Sequence, residues 1–350
     1  EPTNHLDMNA RKIVSDYLSS KRGFILVSHD RAFLDNCVDH ILSINKTNIE
    51  IQKGDFSSWW ENKKMQDNFE IAENEKLRKE ITRLSSAAKR SADWSDKVEK
   101  TKLGTKNSGL RPDKGYIGHK SAKMMKRSKV IESRQQSAID GKSNLLKNIE
   151  DSEKLRISQI RFHADRLVEL ADVSIFYGEK KACENVSFSI GQGDRVTLCG
   201  KNGSGKSSLI KLICGEDITY TGTFRKASQL KISYVSQDTS HLRGNLTDYV
   251  TDNDIDESLF KAILRKLGFS RIQFEKDMSD FSGGQKKKVL IARSLCEKAH
   301  LHIWDEPLNF IDVISRMQIE ELLLEYLPTI LFVEHDSEFC KNIATKMIEL

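Results

Sequence analysis

Two clusters of residues in this chain have the types and spacing for phosphate chemistry. The stretch Gly200-Lys201-Asn202-Gly203-Ser204-Gly205-Lys206-Ser207 obeys the pattern G-x-x-x-x-G-K-[ST]. Glycines in such a loop let the backbone wrap a phosphate with its N–H groups, a lysine reaches the outer phosphates, and the hydroxyl ligates magnesium. Those last two roles fall to Lys206 and Ser207. Further along, Leu301-His302-Ile303-Trp304-Asp305-Glu306-Pro307 is an apolar run ending in two adjacent carboxylates and a proline that stops the strand. At such a strand end Asp305 lies near the magnesium ion, and Glu306 can take a proton from water.

These groups need elements to hold them. The strand pattern Arg195–Cys199 runs into the glycine-rich loop, and the apolar run Ser208–Cys214 after it predicts a helix whose N-terminus favours negative charge. Gln237 ends the strand-like segment Lys231–Ser236 and is a candidate ligand for magnesium and water. Ser282-Gly283-Gly284-Gln285 precedes a helix predicted over Lys286–Glu297, and its two glycines allow close approach of a phosphate. His335 follows the buried-strand pattern Ile330–Val333, a place from which a neutral imidazole can contact a terminal phosphate, a structural role being the alternative that its counterpart His29 disfavours. The Phe281 before Ser282 keeps an apolar position apolar. No chemical role follows for His302 and Trp304, which are polar-edged for a buried strand.

Part of the second cluster occurs twice. Glu1-Pro2-Thr3-Asn4-His5-Leu6-Asp7 repeats the spacing of Glu306 to Asp312, and Phe24-Ile25-Leu26-Val27-Ser28-His29-Asp30 answers Ile330 to Asp336. From each histidine it is 15 residues to Ile44 and to Leu350. Two copies of one element imply two domains of one kind. Because the first copy opens where the second is nearly finished, the chain is expected to begin inside its first domain, whose missing half would be a partner in cis. Within this copy the pattern predicts a helix at Asn9–Ser20, a buried strand at Gly23–Val27, a helix after His29, and strands near His40–Ile44 and Asn48–Gln52.

The 350 residues are 38% hydrophobic and 31% charged, which suggests an extended polar segment beside packed cores. No apolar run reaches the length of a membrane span. Six cysteines without a Cys-x-x-Cys pair read as reduced thiols in cores. The formal net charge of +5 is uneven, since residues 61–161 hold 25 Lys/Arg against 15 Asp/Glu, and 97–134 hold 12 against 3. Such an excess points to a polyanion, with nucleic acid favoured over a membrane because the segment lacks a large apolar face. Two long polar helical patterns flank a break at 103–119 that contains four glycines and a proline. They predict an antiparallel hairpin with arms of roughly 60 Å, a disordered linker being the alternative. Lys123, Lys126, Arg127 and Lys129 are the candidate RNA contacts. Leu103, Leu110, Tyr116 and Ile117 give the tip an apolar character.

Taken in order, the glycine-rich loop, Gln237, Ser282–Gln285, Asp305-Glu306 and His335 resemble an ATP-binding cassette (ABC) ATPase. Two cassettes joined by a charged helical segment, together with Glu1-Pro2-Thr3-Asn4-His5-Leu6-Asp7, resemble the ABC-F branch, which acts on ribosomes. The segment Asp113 to Arg127 looks like the antibiotic-resistance subgroup of Lsa and Vga type. The resemblance implies an α/β fold of tandem P-loop ABC domains, the first truncated, joined by a long α-helical hairpin. The first domain is residues 1–57, the linker 58–163 and the second domain 164–350.

The implied activity is ATP hydrolysis with Mg2+ in the cytoplasm, and the implied partner is the ribosome through ribosomal or transfer RNA. Protection against antibiotics, a housekeeping role in translation, or the ATPase subunit of an importer are the candidate functions. Glu306 and His335 would be catalytic in the second site, with Glu1 and His29 their counterparts in the first. ATP would be held by Gly200 to Ser207, Ser208 and Gln237, with Ser207, Gln237 and Asp305 at the metal. Tyr177 fits the residue that stacks on adenine, Phe176 being the alternative. In the family's head-to-tail pairing, Ser282, Gly283, Gly284 and Gln285 face the other cassette's loop, so both sites are present by halves. The second copy reads Leu308-Asn309-Phe310 where the first has Thr3-Asn4-His5, which makes the two sites chemically unequal.

Overall fold

The computed structural model describes residues 3, 6–44, 49–100 and 160–350 and isolated helical positions at 123, 126, 129, 130, 133 and 137, without the side chains of 84 and 87–100. Contacts divide the chain into two compact units, residues 1–59 with 152–350, and residues 60–151.

The larger unit is built on a parallel five-stranded sheet. Its strands are β5 (Arg195–Cys199), β7 (Ile232–Val235), β8 (Leu301–Asp305), β9 (Ile330–Val333) and β10 (Lys346–Glu349), in the order β10-β5-β9-β8-β7. β8 and β9 are buried along their whole length, as near-continuous apolar strands covered on both faces must be. An antiparallel sheet of β3 (Arg166–Tyr177), β4 (Lys180–Gly191) and β6 (Thr219–Lys226), with β3 central, adds a second layer. Leu170, Val173, Ile175 and Ile190 of this layer share a core with Val196, Leu198, Ile303 and Leu331 of the parallel sheet. The helix α4 (Lys206–Cys214) follows β5 and buries Leu209, Ile210 and Ile213 in that core.

A second core forms around the short helices α5 (Leu246–Asp252) and α6 (Glu257–Lys266) and the longer α7 (Gly283–Cys296) and α8 (Val313–Tyr326). Phe281 belongs to it and packs edge-on against Phe269 with ring centroids 5.6 Å apart. The helix α9 (Ser337–Ile343) closes the domain before β10.

The N-terminal copy supplies α1 (Met8–Ser19), α2 (Arg31–Cys37) and the hairpin of β1 (His40–Ile44) and β2 (Ile49–Lys53). Arg31 of α2 forms a buried ion pair with Glu320 of α8 at 2.6 Å, which fixes this copy against the second domain. The strand expected at Gly23–Val27 is absent. Those residues adopt no regular structure, and Ile25 is 97% exposed where its counterpart Leu331 is fully buried. The reason is pairing: Leu331 lies on β9 between β5 and β8, and no described strand flanks residues 24–27.

The smaller unit contains most of α3 (Phe56–Lys100), whose 45 residues make a helix about 68 Å long. Lys123, Lys126 and Lys129 are exposed helical residues. Arg127, the apolar tip and most of the expected returning arm lie outside the described residues.

Candidate functional site

Strand order explains how distant residues meet. Ligands of open parallel sheets bind beyond the carboxyl ends of the strands. Along that edge β5 delivers Gly200, β9 delivers His335, β8 delivers Asp305 and Glu306, and β7 delivers Gln237.

The loop from Gly200 to Gly205 needs its glycines. Gly200 has φ +148°, and a Cβ there would lie 2.7 Å from the Leu350 carbonyl oxygen. At Gly205, φ is +91° and a Cβ would sit 2.7 Å from the Ala182 carbonyl oxygen. Lys206 starts α4 and folds back, donating from Nζ to the carbonyl oxygens of Gly200 and Lys201, each at 2.9 Å. Burial pushes its pKa down, opposed by the charges of Glu306, Asp7 and Asp305. The Ser207 hydroxyl donates to Asp305 Oδ1 at 3.5 Å. Burial raises the Asp305 carboxyl, against the hydrogen bond from Ser207 and the charges of Lys287 and Lys206.

Glu306 is the most constrained residue of the site. Its backbone lies in the left-handed region at φ +48°, a conformation that costs a non-glycine residue of order 1 kcal/mol and persists where the surroundings impose it. Oε2 accepts from Gln237 Nε2 at 2.8 Å and from Asn309 Nδ2 at 2.7 Å. Oε1 lies 3.7 Å from Nε2 of His335. His335, joined by the charge of Lys287 and the Asn309 amide, holds the Glu306 carboxyl below the usual carboxylate range despite burial. A base kept ionised is what proton abstraction from water requires.

A cleft of about 440 Å³ opens over these groups, lined by Tyr177, Asn202, Gly203, Gly205, Lys206, Ser207, Ser208, Gln237 and Glu306. Tyr177 is half exposed at the end of β3 and lies on this cleft; Phe176 does not line it. Lys180, Lys181 and Ala182 complete the wall. The Ser204 hydroxyl is buried without a hydrogen-bond partner among the described residues, and His335 Nε2 has only its longer pairing with Glu306. A lysine turned onto carbonyls and a buried hydroxyl without a partner suit a polyphosphate. Among the described residues no group of three or more His, Cys, Asp or Glu could hold a metal. A magnesium site made from one hydroxyl, one amide, one carboxylate and phosphate oxygens needs no such group.

The other site residues lie elsewhere. Ser282 caps α7, accepting from Gln285 N at 3.3 Å while Gln285 Oε1 accepts from Ser282 N at 3.0 Å. The helix expected from Lys286 therefore begins at Gly283, and Gly283 to Gln285 form its first turn. Neither Ser282–Gln285 nor His29 lines the cleft, and Glu1 lies outside the described residues. From the first copy it is Asp7 that reaches the loop, accepting from Asn202 N at 3.4 Å.

Three residues to which the motifs assigned no role lie at the site. Asn309 holds Glu306, and Glu334 bonds the loop behind it. Lys287, only 2% exposed, donates to the carbonyl oxygens of Ser236 at 2.9 Å and Glu306 at 3.1 Å. Its place three residues after Gly284, on the buried face of a helix, was the one available signal. His302 and Trp304 also gain an account. The Ser294 hydroxyl of α7 lies 3.1 Å from His302 Nδ1, accepts from Trp304 Nε1 at 2.9 Å and meets Ser233 at 2.8 Å. This buried network ties β8 and β7 to α7.

The fold and motif order give residues 164–350 the α/β architecture of a P-loop ABC ATPase domain. The ABC transporter family profile matches residues 183–309. Over nearly its whole length the chain is similar to ABC-F proteins. It is 29% identical over 98% of its length to the ribosome protection protein VmlR of Bacillus subtilis, and 28% identical over all of it to the ATP-binding protein Uup of Caulobacter vibrioides. The chain spans 62% and 54% of the lengths of these two relatives. A structure described as ribosome-bound archaeal Pelota and ABCE1 shares the fold, with a TM-score of 0.58 at 19% identity over 99% of this chain and 49% of that one. Among the described residues no helix is long and apolar enough to cross a membrane.

Proposed function

We propose that the protein is an ABC-F ATPase that acts in the cytoplasm on the ribosome and protects it from antibiotics of lincosamide, streptogramin A or pleuromutilin type. The observation that carries the ATPase reading is the convergence of Gln237, Asn309 and His335 on Glu306 beside the loop of Lys206. In this reading Gly200 to Ser208 and Gln237 hold ATP, Tyr177 stacks on its base, and Lys206 turns from its own loop carbonyls to the outer phosphates. Magnesium held from Ser207, Gln237 and Asp305 would neutralise phosphate charge. Glu306 takes the proton of the attacking water, which Gln237 orients, and His335 faces the terminal phosphate. Ser282–Gln285, with Glu1 and His29, serve the other nucleotide, so the domains 1–57 and 164–350 work as parts of a pair across the linker 58–163.

The ribosomal reading rests on two supports. The linker concentrates positive charge, 12 Lys/Arg against 3 Asp/Glu in residues 97–134, and one relative over the whole chain is named a ribosome protection protein. A polyanion contacted through Lys123, Lys126, Arg127 and Lys129 would be bound mainly by its phosphates. The equal likeness to relatives named only as ATP-binding proteins favours a second reading, a housekeeping translation factor. One experiment separates them. Cells expressing the complete protein, or a form with Thr105–Arg111 replaced by two glycines, are grown with each drug, and ribosome co-sedimentation is measured in ATP. Protection lost with binding retained supports target protection by the linker tip. Growth in the drugs no better than in cells lacking the protein leaves the housekeeping reading.

A further inference from the structure

The two copies of the repeated element solve one structural task with different chemistry. In the first copy the hydroxyls of Thr3 and Ser28 lie 2.9 Å apart and are buried. Thr3 stands two residues after the acid position, and Ser28 directly precedes the histidine. Their counterparts in the second copy are Leu308 and Glu334. Leu308 brings no hydroxyl, and Glu334 is long enough to reach past the side chain to the backbone. Its Oε1 accepts the Leu308 N–H at 2.6 Å, and its Oε2 accepts the His335 N–H at 3.1 Å. Both positions differ between the copies, yet the same two loops stay joined.

A carboxyl that is 3% exposed is costly unless both oxygens are bonded, and here both are. Burial raises its pKa, which Arg316 and the two backbone donors oppose. The residues it joins are the ones next to the catalytic constellation. Leu308 precedes Asn309, which bonds Glu306 Oε2 at 2.7 Å. Glu334 precedes His335, whose Nε2 lies 3.7 Å from Glu306 Oε1. We propose that Glu334 is a positioning residue of the second site, joining the loop of Leu308 and Asn309 to His335 so that both groups bear on Glu306 as one body. The inference rests on the ATPase reading of that site. It makes the Leu308–Glu334 pair a substitute for Thr3–Ser28, and a source of the inequality between the two sites.

The test uses the complete protein with Glu306→Gln as the reference for Glu306-dependent turnover. Glu334→Ser, Glu334→Gln and the double variant Leu308→Thr with Glu334→Ser are compared by steady-state ATP hydrolysis, binding of a fluorescent ATP analogue and thermal melting. A group that matters only for the orientation of catalytic residues lowers kcat and leaves nucleotide affinity alone. Glu334→Ser should lose about ten-fold in kcat, with KM and analogue binding within about two-fold. The double variant, which installs the first copy's hydroxyl pair, should recover most of that loss although it gives up the buried Leu308 side chain. If Glu334→Ser does not fold, the comparison is made on Glu334→Gln, whose amide can accept from only one of the two N–H groups. Unchanged kcat per folded molecule in both Glu334 variants overturns the inference while leaving the ATPase reading intact. A double variant no better than Glu334→Ser also overturns it. Wild-type protein without Glu306-dependent turnover overturns the ATPase reading and this inference with it.

Discussion

Arg11, in the first copy of the repeat, donates from Nη1 to the main-chain carbonyl oxygen of His335 in the second, 3.1 Å away and 324 residues along the chain. The same guanidinium donates from Nε to the Leu6 carbonyl and is paired with Asp30. Arg316 has the same relation to its own copy, bonding Ile311 O from Nε and Asp336 from Nη1. One arginine thus spans the first copy's two loops and the backbone of His335 in the other. Breaking a buried pair strands its partner's charge at a cost of about 3–5 kcal/mol. Arg11→Ala should destabilise the larger unit by an amount of that order and lower turnover at the second site. Chemical denaturation and ATP hydrolysis of the complete protein check the two effects, and a melt equal to wild type would contradict the burial argument.

Glu306→Gln should keep nucleotide binding and lower ATP turnover by about a hundred-fold or more, because an amide cannot take the proton. Lys206→Ala should instead weaken binding itself, since it removes the charge beside the loop. Because its neighbours hold the Glu306 carboxyl below the usual carboxylate range, it stays ionised through neutral pH. The acid limb of turnover should fall below the ordinary glutamate range, and a limb near neutrality that vanishes in Glu306→Gln would refute this.

Gly284→Ala tests the packing of α7 against the loop after Glu306. A Cβ there would lie 2.3 Å from the Phe310 carbonyl oxygen, a clash that backbone cannot relieve without moving. Overpacking of this kind costs about 1–3 kcal/mol. Phe310 has φ +66° and little freedom to retreat. The measured readout is the melting temperature, with Gly283→Ala as the milder control, because its Cβ would meet only the Phe310 ring at 3.6 Å.

His302 should make stability fall in mild acid. Burial depresses its pKa from 6.5 to about 4. Between those values the unfolded chain binds a proton that the folded chain does not, so stability is fully present above pH 6.5 and is lost as pH falls towards about 4. The total is about 3 kcal/mol. His302→Leu should flatten the slope of unfolding free energy across this window, and an unchanged slope would assign it to other groups.

Replacing Lys123, Lys126 and Lys129 with Glu should weaken association with ribosomal RNA. It should also flatten the salt dependence by roughly one logarithmic unit for each phosphate no longer neutralised. The three side chains are exposed. A salt slope equal to wild type would leave them as a solvated helix face.

Much of the architecture was legible in the chain because it depends on short local signals. The glycine-rich loop between a strand and a helix, the apolar run closing on Asp305 and Glu306, and the doubled Glu-Pro-x-Asn-x-x-Asp spacing are continuous stretches, and the phosphate chemistry they imply follows from residue type and order alone. Strand limits at Arg195–Cys199 coincide with the observed ones because a short run, buried from Val196 to Cys199, lies between the turn glycines Gly193 and Gly200. What the chain could not disclose depends on neighbours far away in sequence. Residues 24–27 carry the same apolar pattern as β9, but a strand exists only where others pair with it, and none among the described residues does. His302 and Trp304 looked out of place on a buried strand until α7 brought Ser294 between them. Asn309, Lys287 and Glu334 belong to three different elements, and only the closing of β7, β8, β9 and α7 around one carboxylate makes them parts of a single site.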